Sequence, residues 1–404
     1  MSQANNEKGL RSSPVWEGLQ EWIQEQVQRL FQEALEQEAA EMVGRLKSQR
    51  RGPSGGAYRN GHGRPRRLTT TVGTVELRRP RVRGARTRLE SRVLPWFVRR
   101  LPVVDQMIPE LYLHGLSEGD FDLALRGLLG EKAPLSATSV ARLKERWQGE
   151  FEGWRQRSLD ELQVVYMWVD GVYVKAGLEK DKAAILVAIG VLVDGRKVVL
   201  AVQPGHREST ASWGELLRDL KARGLASPCL VIGDGHLGIW AALREVYPQA
   251  DEQRCWNHRL VNVLDKIPLK HQAAAKQLLT EIMYAPSPEA CASAKMRFRR
   301  WCAEHDLVPA ADLLDRDWDR MIAYYRYPAE HWKHLRTTNP IESAFATLRL
   351  RTDAAKRFKK VANATAAIWK LLLIAEKSFR PVDGKARLLD VWTRHHQTRE
   401  RHAA

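Results

Sequence analysis

The chain has 404 residues, room for two to four domains and at least one sizeable core; 44% hydrophobic and 28% charged residues are ordinary for a globular protein. Its longest apolar run, Ala183–Val193, is too short to span a bilayer, no basic-then-apolar leader opens the chain, and four cysteines are too few for a disulfide scaffold. The expectation is a cytoplasmic protein with no membrane partner. The net charge of +17 is concentrated: between Arg45 and Arg100 stand 17 Lys/Arg against Glu76 and Glu90 alone, an excess of +15. A block this basic repels itself unless it meets a polyanion, and nucleic acid supplies one through its phosphates.

Residues 14–46 read as one helix, with Ser13 as cap and Pro14 in the first turn. Leu19, Ile23, Val27, Leu30, Ala34 and Leu35 recur at helical spacing, either to pack on their own domain or to meet a second copy. The Arg- and Gly-rich stretch that follows holds two short alternating pieces, Leu68–Val72 and Val75–Leu77. They predict a small basic β-hairpin turning at Gly73-Thr74. Its apolar content is low, which points to ordering on DNA. Arg59, Arg64, Arg66, Arg67, Arg79, Arg81 and Arg83 are its candidate phosphate contacts.

Residues 104–157 read as three short helices: Met107–His114, one starting at Ser117 and ending at Gly130, and one opened by Pro134-Leu135-Ser136. This suits a helix-turn-helix, or a plain helical linker. In the first case Ser136, Ser139, Arg142 and Lys144 face the major groove.

From Leu162 the pattern turns to strands: Leu162–Val169, Gly171–Ala176, Ala183–Val193 and Lys197–Val202. Helix Trp213–Ala222, strand Cys229–Gly233, helix Leu237–Val246 and a strand near Ala250–Arg254 come next. This predicts an α/β domain with a mixed sheet. Residues 266–338 read as helical, an insertion into that domain. Helix resumes from Pro340 to Leu350 and from Ala362 to Phe379, and a basic tail follows Pro381. The predicted segments are thus 1–50, 51–103, 104–160, 161–265, 266–338, 339–380 and 381–404.

Asp170 follows the apolar run Val164–Val169, and Asp234 follows Cys229–Gly233. Carboxylates just past buried strands stand at the carboxyl edge of a sheet, where α/β proteins keep their sites. On neighbouring strands they repel unless a cation lies between them. Glu342 falls in the first turn of a helix, with Asn339 fitting the N-cap and Pro340 the first helical position. Three hard oxygen ligands select Mg²⁺ or Mn²⁺ over zinc. Two such ions about 4 Å apart activate a water or 3′-hydroxyl and stabilise the leaving oxygen of a phosphodiester. Arg349 and Arg351, further along, suit DNA phosphates. Cys255-x-x-His258 and Cys302-x-x-His305 are spaced to form a tetrahedral zinc site together. The preferred reading makes Cys255 a small buried apolar residue and His258 a hydrogen-bonding neighbour of the acids, with no stoichiometric zinc.

The stretches Asp170-Gly171-Val172-Tyr173-Val174-Lys175, Gly233-Asp234-Gly235, Arg254-Cys255-Trp256-Asn257-His258 and Thr337-Thr338-Asn339-Pro340-Ile341-Glu342-Ser343 resemble those of the Mutator-type transposases of bacterial insertion sequences. So do Tyr58-Arg59-Asn60-Gly61 and Arg79-Pro80-Arg81 upstream. The resemblance runs from about residue 50 to 380. It implies a ribonuclease H-like catalytic domain with a helical insertion, and Asp170, Asp234 and Glu342 as the metal-binding acids. The expected protein binds terminal inverted repeats and target DNA as a homodimer or larger assembly, with two Mg²⁺ or Mn²⁺ ions per site. The competing expectation is a transposase-derived repressor or architectural protein without activity.

Overall fold

A computed structural model describes residues 13–45, 49, 56–87, 89–113, 126, 137–177, 182–205, 209–235, 237–354, 358 and 360–403. The chain divides into two compact units, Met1–Arg142 and Leu143–Ala404.

In the first unit a 31-residue helix, Ser13–Val43, lies on four short strands: β1 (Tyr58–His62), β2 (Arg66–Thr70), β3 (Gly73–Leu77) and β4 (Pro80–Arg83). β2 pairs with β3, and β1 with β4, both antiparallel. Val27, Phe31 and Leu35, spaced four apart on the helix, pack with Leu68, Val75, Leu77 and Leu94 into one small core. Leu19 and Leu30, assigned to the same stripe by spacing, are exposed instead. Glutamines on that helix replace a neighbouring strand along β3. Gln24 donates to the Thr74 carbonyl (2.7 Å), Gln28 accepts from the Glu76 amide (3.3 Å), and Gln32 accepts from the Arg78 amide (2.9 Å). The basic segment is therefore held by protein: the helix supplies Val27, Phe31 and Leu35 to its core and satisfies its strand edge. The hairpin turns two residues earlier than predicted, because the Thr70 hydroxyl accepts from Val72 N–H (3.2 Å) and donates to the Gly73 carbonyl (2.8 Å). Helix Pro102–Leu113 follows. The second helix predicted for the helix-turn-helix, and Ser136, lie outside the described residues.

The second unit is a mixed α/β domain. Its five-stranded sheet has the order β7-β6-β5-β8-β9, with β5 (Val164–Val174), β6 (Ala183–Leu192), β7 (Lys197–Gly205), β8 (Leu230–Gly233) and β9 (Asp251–Arg254). β5, β6 and β7 form an antiparallel meander; β8 runs parallel to β5, and β9 to β8. Helices Thr210–Ala222 and Leu237–Val246 cover one face, burying Trp213, Leu216, Leu220, Ile239, Trp240 and Leu243 against Met167, Val169 and Leu186. The alternate residues of β5 meet the other side: Tyr166 OH is 2.7 Å from His331 Nδ1, and Trp168 Nε1 donates to the His334 carbonyl (3.1 Å).

Gly171–Ala176, read as a separate strand, is the continuation of β5. The ladder to β6 runs without a break through Asp170↔Val187 and Gly171↔Leu186. The residues after Pro381, read only as a basic tail, end in helix Leu388–Ala403, which buries Leu388, Val391 and Trp392. Helix Ala137–Arg155 enters this unit with Phe151 and Trp154 against Trp369 (centroids 5.5 and 5.8 Å).

Candidate functional site

β5 outlasts its parallel neighbour. Its pairing with β8 covers only Tyr166↔Leu230 to Trp168↔Ile232, so Asp170 stands on β5 past that pairing, and Asp234 directly follows β8. Asp170 and Asp234 line one small crevice with Val169, Trp213, Gly233, Gly235 and Ile239. The Gly171 amide donates to Asp170 Oδ1 (2.8 Å). Gly235 has φ +92° and lies so close to the Arg254 side chain that a Cβ there would stand 2.4 Å from Nε. Only glycine lets the chain leave Asp234 along this path.

Glu342 comes from helix Asn339–Ala354, whose buried Ile341, Ala344, Phe345 and Leu348 fix its inward face. The cap differs from the expected one. The Thr338 carbonyl accepts the first bonds, from Ile341 and Glu342 N–H (both 2.9 Å), so Thr338 rather than Asn339 precedes the helix. The Asn339 side chain instead accepts from Asn257 Nδ2 (2.9 Å). The Thr338 hydroxyl donates to Glu342 Oε1 and lies 3.2 Å from Cys255 Sγ, while the Thr338 amide donates to the same sulfur (3.3 Å).

Cys255 opens helix Trp256–Leu264, and His258, three residues on, shares its face. His258 Nδ1 stands 3.5 Å from Asp234 Oδ1 and 3.9 Å from Glu342 Oε1. The proximity of Cys255, opposed by burial and joined by the Asp234 and Asp170 carboxylates, pushes the imidazole up to about 9. Ligand atoms of Cys255, His258 and Glu342 lie within 4.8 Å of one another, the one such group among the described residues. Cys302 and His305 do not join it. Cys302 is buried in helix Pro288–Glu304, and His305 Nδ1 is 2.8 Å from the Trp301 carbonyl. The four-residue zinc arrangement is not assembled.

Behind this cluster lies a charge network with no clear mark in the sequence. Asp317 binds Arg254 (2.6 Å), Arg259 and Arg320 (2.9 Å), so one carboxylate holds the arginines on either side of Cys255 and His258. In the sequence Asp317 is one of three acids in an alternating charged run, Asp315 to Arg320, and nothing sets it apart. Thr338 was within reach, as a hydroxyl residue just ahead of a helix start.

The arginines assigned to DNA divide into two groups. Arg59 is committed to Glu36, through its carboxylate and its carbonyl. Arg66 donates to the carbonyls of Pro95 (3.1 Å) and Val98 (2.8 Å). Arg79, buried, donates to the Leu89 carbonyl. Arg64, Arg67, Arg81, Arg83 and Arg349 are exposed. The side chains of Ser139, Arg142, Lys144 and Arg351 lie outside the described residues. Among the described residues, no helix is long and apolar enough to cross a membrane.

The sequence over residues 2–379 matches the model of the Mutator family of transposases. It is 44% identical over 280 residues to the transposase for insertion sequence element IS6120 of Mycolicibacterium smegmatis, covering 69% of this chain and 86% of that protein. It is 39% identical over 272 residues to that of IST2 from Acidithiobacillus ferrooxidans (67% and 91%), and 31% over 341 residues to that of ISRM5 from Rhizobium meliloti (83% of each). The class is thereby defined: a transposase. The chain belongs to the Mutator family.

Proposed function

We propose that this protein is a metal-dependent DNA transposase of bacterial insertion-sequence type, with a ribonuclease H-like catalytic domain and Asp170, Asp234 and Glu342 as its metal-binding acids. The carrying observation is the meeting of Asp234 and Glu342 around His258 at the sheet edge that also bears Asp170. A meander of three strands joined by two parallel ones supports the fold reading. The three acids offer the hard oxygens that Mg²⁺ or Mn²⁺ prefers, while the ligand atoms that lie within 4.8 Å of one another are those of Cys255, His258 and Glu342. Asp234 and Asp170 favour positive charge at His258, beside the larger effect of Cys255. Bound divalent ions would supply Lewis-acid activation of a water or 3′-hydroxyl. The chain's own part is orientation: Gly171 N–H fixes one Asp170 oxygen, Thr338 fixes one Glu342 oxygen, and His258 Nδ1 stands between Asp234 and Glu342. The exposed arginines of the first unit bind duplex DNA, the element's terminal repeats and the target, through phosphates. Joining two ends calls for a homodimer or larger assembly. The setting is the bacterial cytoplasm, on the nucleoid when DNA-bound.

The test is a Mg²⁺-dependent nicking and strand-transfer assay on a duplex carrying the DNA end that flanks the reading frame, with gel-shift binding in parallel. Asp170→Asn, Asp234→Asn and Glu342→Gln each lose activity about a thousandfold or more, about 4 kcal/mol in the barrier, and keep DNA binding. A native protein that binds its ends and never nicks them, with Mg²⁺ or Mn²⁺, is a repressor or architectural protein instead.

A further inference from the structure

Beside the acids stands a donor set of another kind. One ligand atom each of Cys255, His258 and Glu342 lies within 4.8 Å of the other two, a grouping that occurs once among the described residues. A thiolate, an imidazole and one carboxylate select zinc over Mg²⁺, which prefers oxygen throughout. The second observation is His258 Nδ1. It is a buried atom without a hydrogen-bond partner, although it stands 3.5 Å from Asp234 Oδ1 and 3.9 Å from Glu342 Oε1. Both gaps are too long for a hydrogen bond. They are close to the spacing of atoms that share an ion: with bonds of about 2.0–2.3 Å, a tetrahedral zinc keeps its ligand atoms roughly 3.3–3.7 Å apart.

The frame that carries these atoms is fixed on every side. Cys255 and His258, three apart at the start of helix Trp256–Leu264, share one face. The Cys255 amide donates to the Gly233 carbonyl (2.8 Å), which ties that helix start to the end of β8. The Trp256 amide donates to the Arg336 carbonyl (2.9 Å), which ties it to the segment leading into the Glu342 helix. The Thr338 amide donates to Cys255 Sγ (3.3 Å), and a donor aimed at sulfur favours the thiolate, the form that binds a metal. Cys255 is buried, while His258 and Glu342 are partly exposed and leave the ion a way in from solvent.

We propose that Cys255, His258 and Glu342 bind zinc reversibly, and that the ion, by taking Glu342, switches off Mg²⁺-dependent DNA cleavage. The switch rests on the DNA-transposase reading; the binding of zinc does not. Cys302 and His305 take no part, so the site has three protein ligands and a fourth position open to water or to Asp234. Such an open site suits an ion that comes and goes rather than one that holds the fold together. Glu342 cannot serve both ions, since its carboxylate is the one group the two sites share.

The test uses Co²⁺ as the probe, because it enters zinc sites and a cobalt–thiolate bond gives a near-ultraviolet absorption band. Titration of the full chain, stripped of metal with a chelator, is expected to raise that band to saturation at one Co²⁺ per chain, and zinc to displace it. Cys255→Ser loses the band; His258→Gln and Glu342→Gln bind Co²⁺ at least about tenfold more weakly; Cys302→Ala behaves as native. In a parallel nicking assay at fixed Mg²⁺, zinc at the concentration that fills the site lowers the native rate at least about tenfold, and a zinc chelator restores it. His258→Gln needs at least about tenfold more zinc for the same fractional loss. No band in the native protein, or a band that survives in Cys255→Ser, overturns the site and leaves Mg²⁺-dependent nicking as it was. Native Co²⁺ affinity in Glu342→Gln, or full nicking with the site filled, overturns the switch. A protein that never nicks with Mg²⁺ in the absence of zinc fails the transposase reading, and the Co²⁺ titration still decides the site. Melting temperatures of His258→Gln and Glu342→Gln within a few degrees of native show that their weaker binding is not a loss of fold.

Discussion

Thr338 and Glu342 are joined side chain to side chain across the first turn of a helix, the hydroxyl donating to the carboxylate. One oxygen of Glu342 is thereby held in place before anything binds it. Removing the donor leaves the acid but frees its rotation. Thr338→Val is expected to lower nicking about 10- to 100-fold and to raise the Mg²⁺ concentration needed for half-maximal rate, with DNA affinity unchanged. Thr338→Ser, which keeps the hydroxyl, restores most of the rate. A Mg²⁺ titration of the two variants decides the point, since a purely structural role would leave the Mg²⁺ midpoint where it was.

Asp317 gives a prediction for stability. Burial works against its charge, but Arg254 and Arg259 beside it, with hydrogen bonds from Arg254 and Arg320, hold the carboxyl below the ordinary aspartate value of 3.8. A folded-state value below the unfolded one stabilises the fold above the unfolded value, and that contribution fades as pH falls through the folded one. The native protein should therefore lose stability below about pH 4, and Asp317→Asn should lose less over that range. At neutral pH the variant leaves Arg254 and Arg259 buried without their partner, at a cost of about 3–5 kcal/mol. Denaturant melts of both proteins from neutral to acid pH check both statements.

Two glycines should respond to alanine with opposite signs. Gly235→Ala meets Arg254 in a left-handed backbone, so stability falls and nicking falls with it as the chain beside Asp234 shifts. Gly149, exposed on helix Ala137–Arg155, has nothing within 4 Å of a Cβ. There the same change should stabilise the helix by about 0.5–1 kcal/mol. Thermal melts of the two variants provide the comparison.

All four cysteines are buried and none is in a disulfide, and burial pushes the Cys302 thiol up to about 11. At pH 8 a thiol reagent is expected to react with none of them in the folded protein and with all four in denaturant. Cys302→Ala is expected to leave the metal content of the purified protein unchanged by elemental analysis. Loss of a stoichiometric zinc in that variant would restore the paired Cys-x-x-His reading.

Periodicity read the second unit well where one rule acts alone. Helix Leu237–Val246 has the same ends in sequence and structure, because apolar spacing and the flanking breaks agree there. It failed at Asp170-Gly171, a pair that reads as a break but is carried through by the ladder to β6. Leu388, Val391 and Trp392 have helical spacing, yet the basic residues around them hid the helix until a surface to bury it was known. The role of Gln24, Gln28 and Gln32 needs the strand they serve, which lies about fifty positions away. At the site, the order of strand ends and the helix start pointed to the three acids. The 3.5 Å approach of His258 to Asp234, and the arginine pair on Asp317, arise from packing between separate elements and leave no local mark.

Cys255 and Thr338 are 83 positions apart, yet they touch, and the Trp256 amide bonds to the Arg336 carbonyl at 2.9 Å. From 257 to 335 the chain makes a detour that leaves and re-enters the domain at one doorway, and on the way Asp317 holds Arg254 while His331 and His334 meet β5. Once such a doorway is closed, the length of the detour matters little: doubling it costs only about 0.6 kcal/mol in closure entropy. Helices Leu269–Met283 and Pro288–Glu304, which supply none of these contacts, are where the length can change while the Glu342 helix keeps its seat beside Cys255.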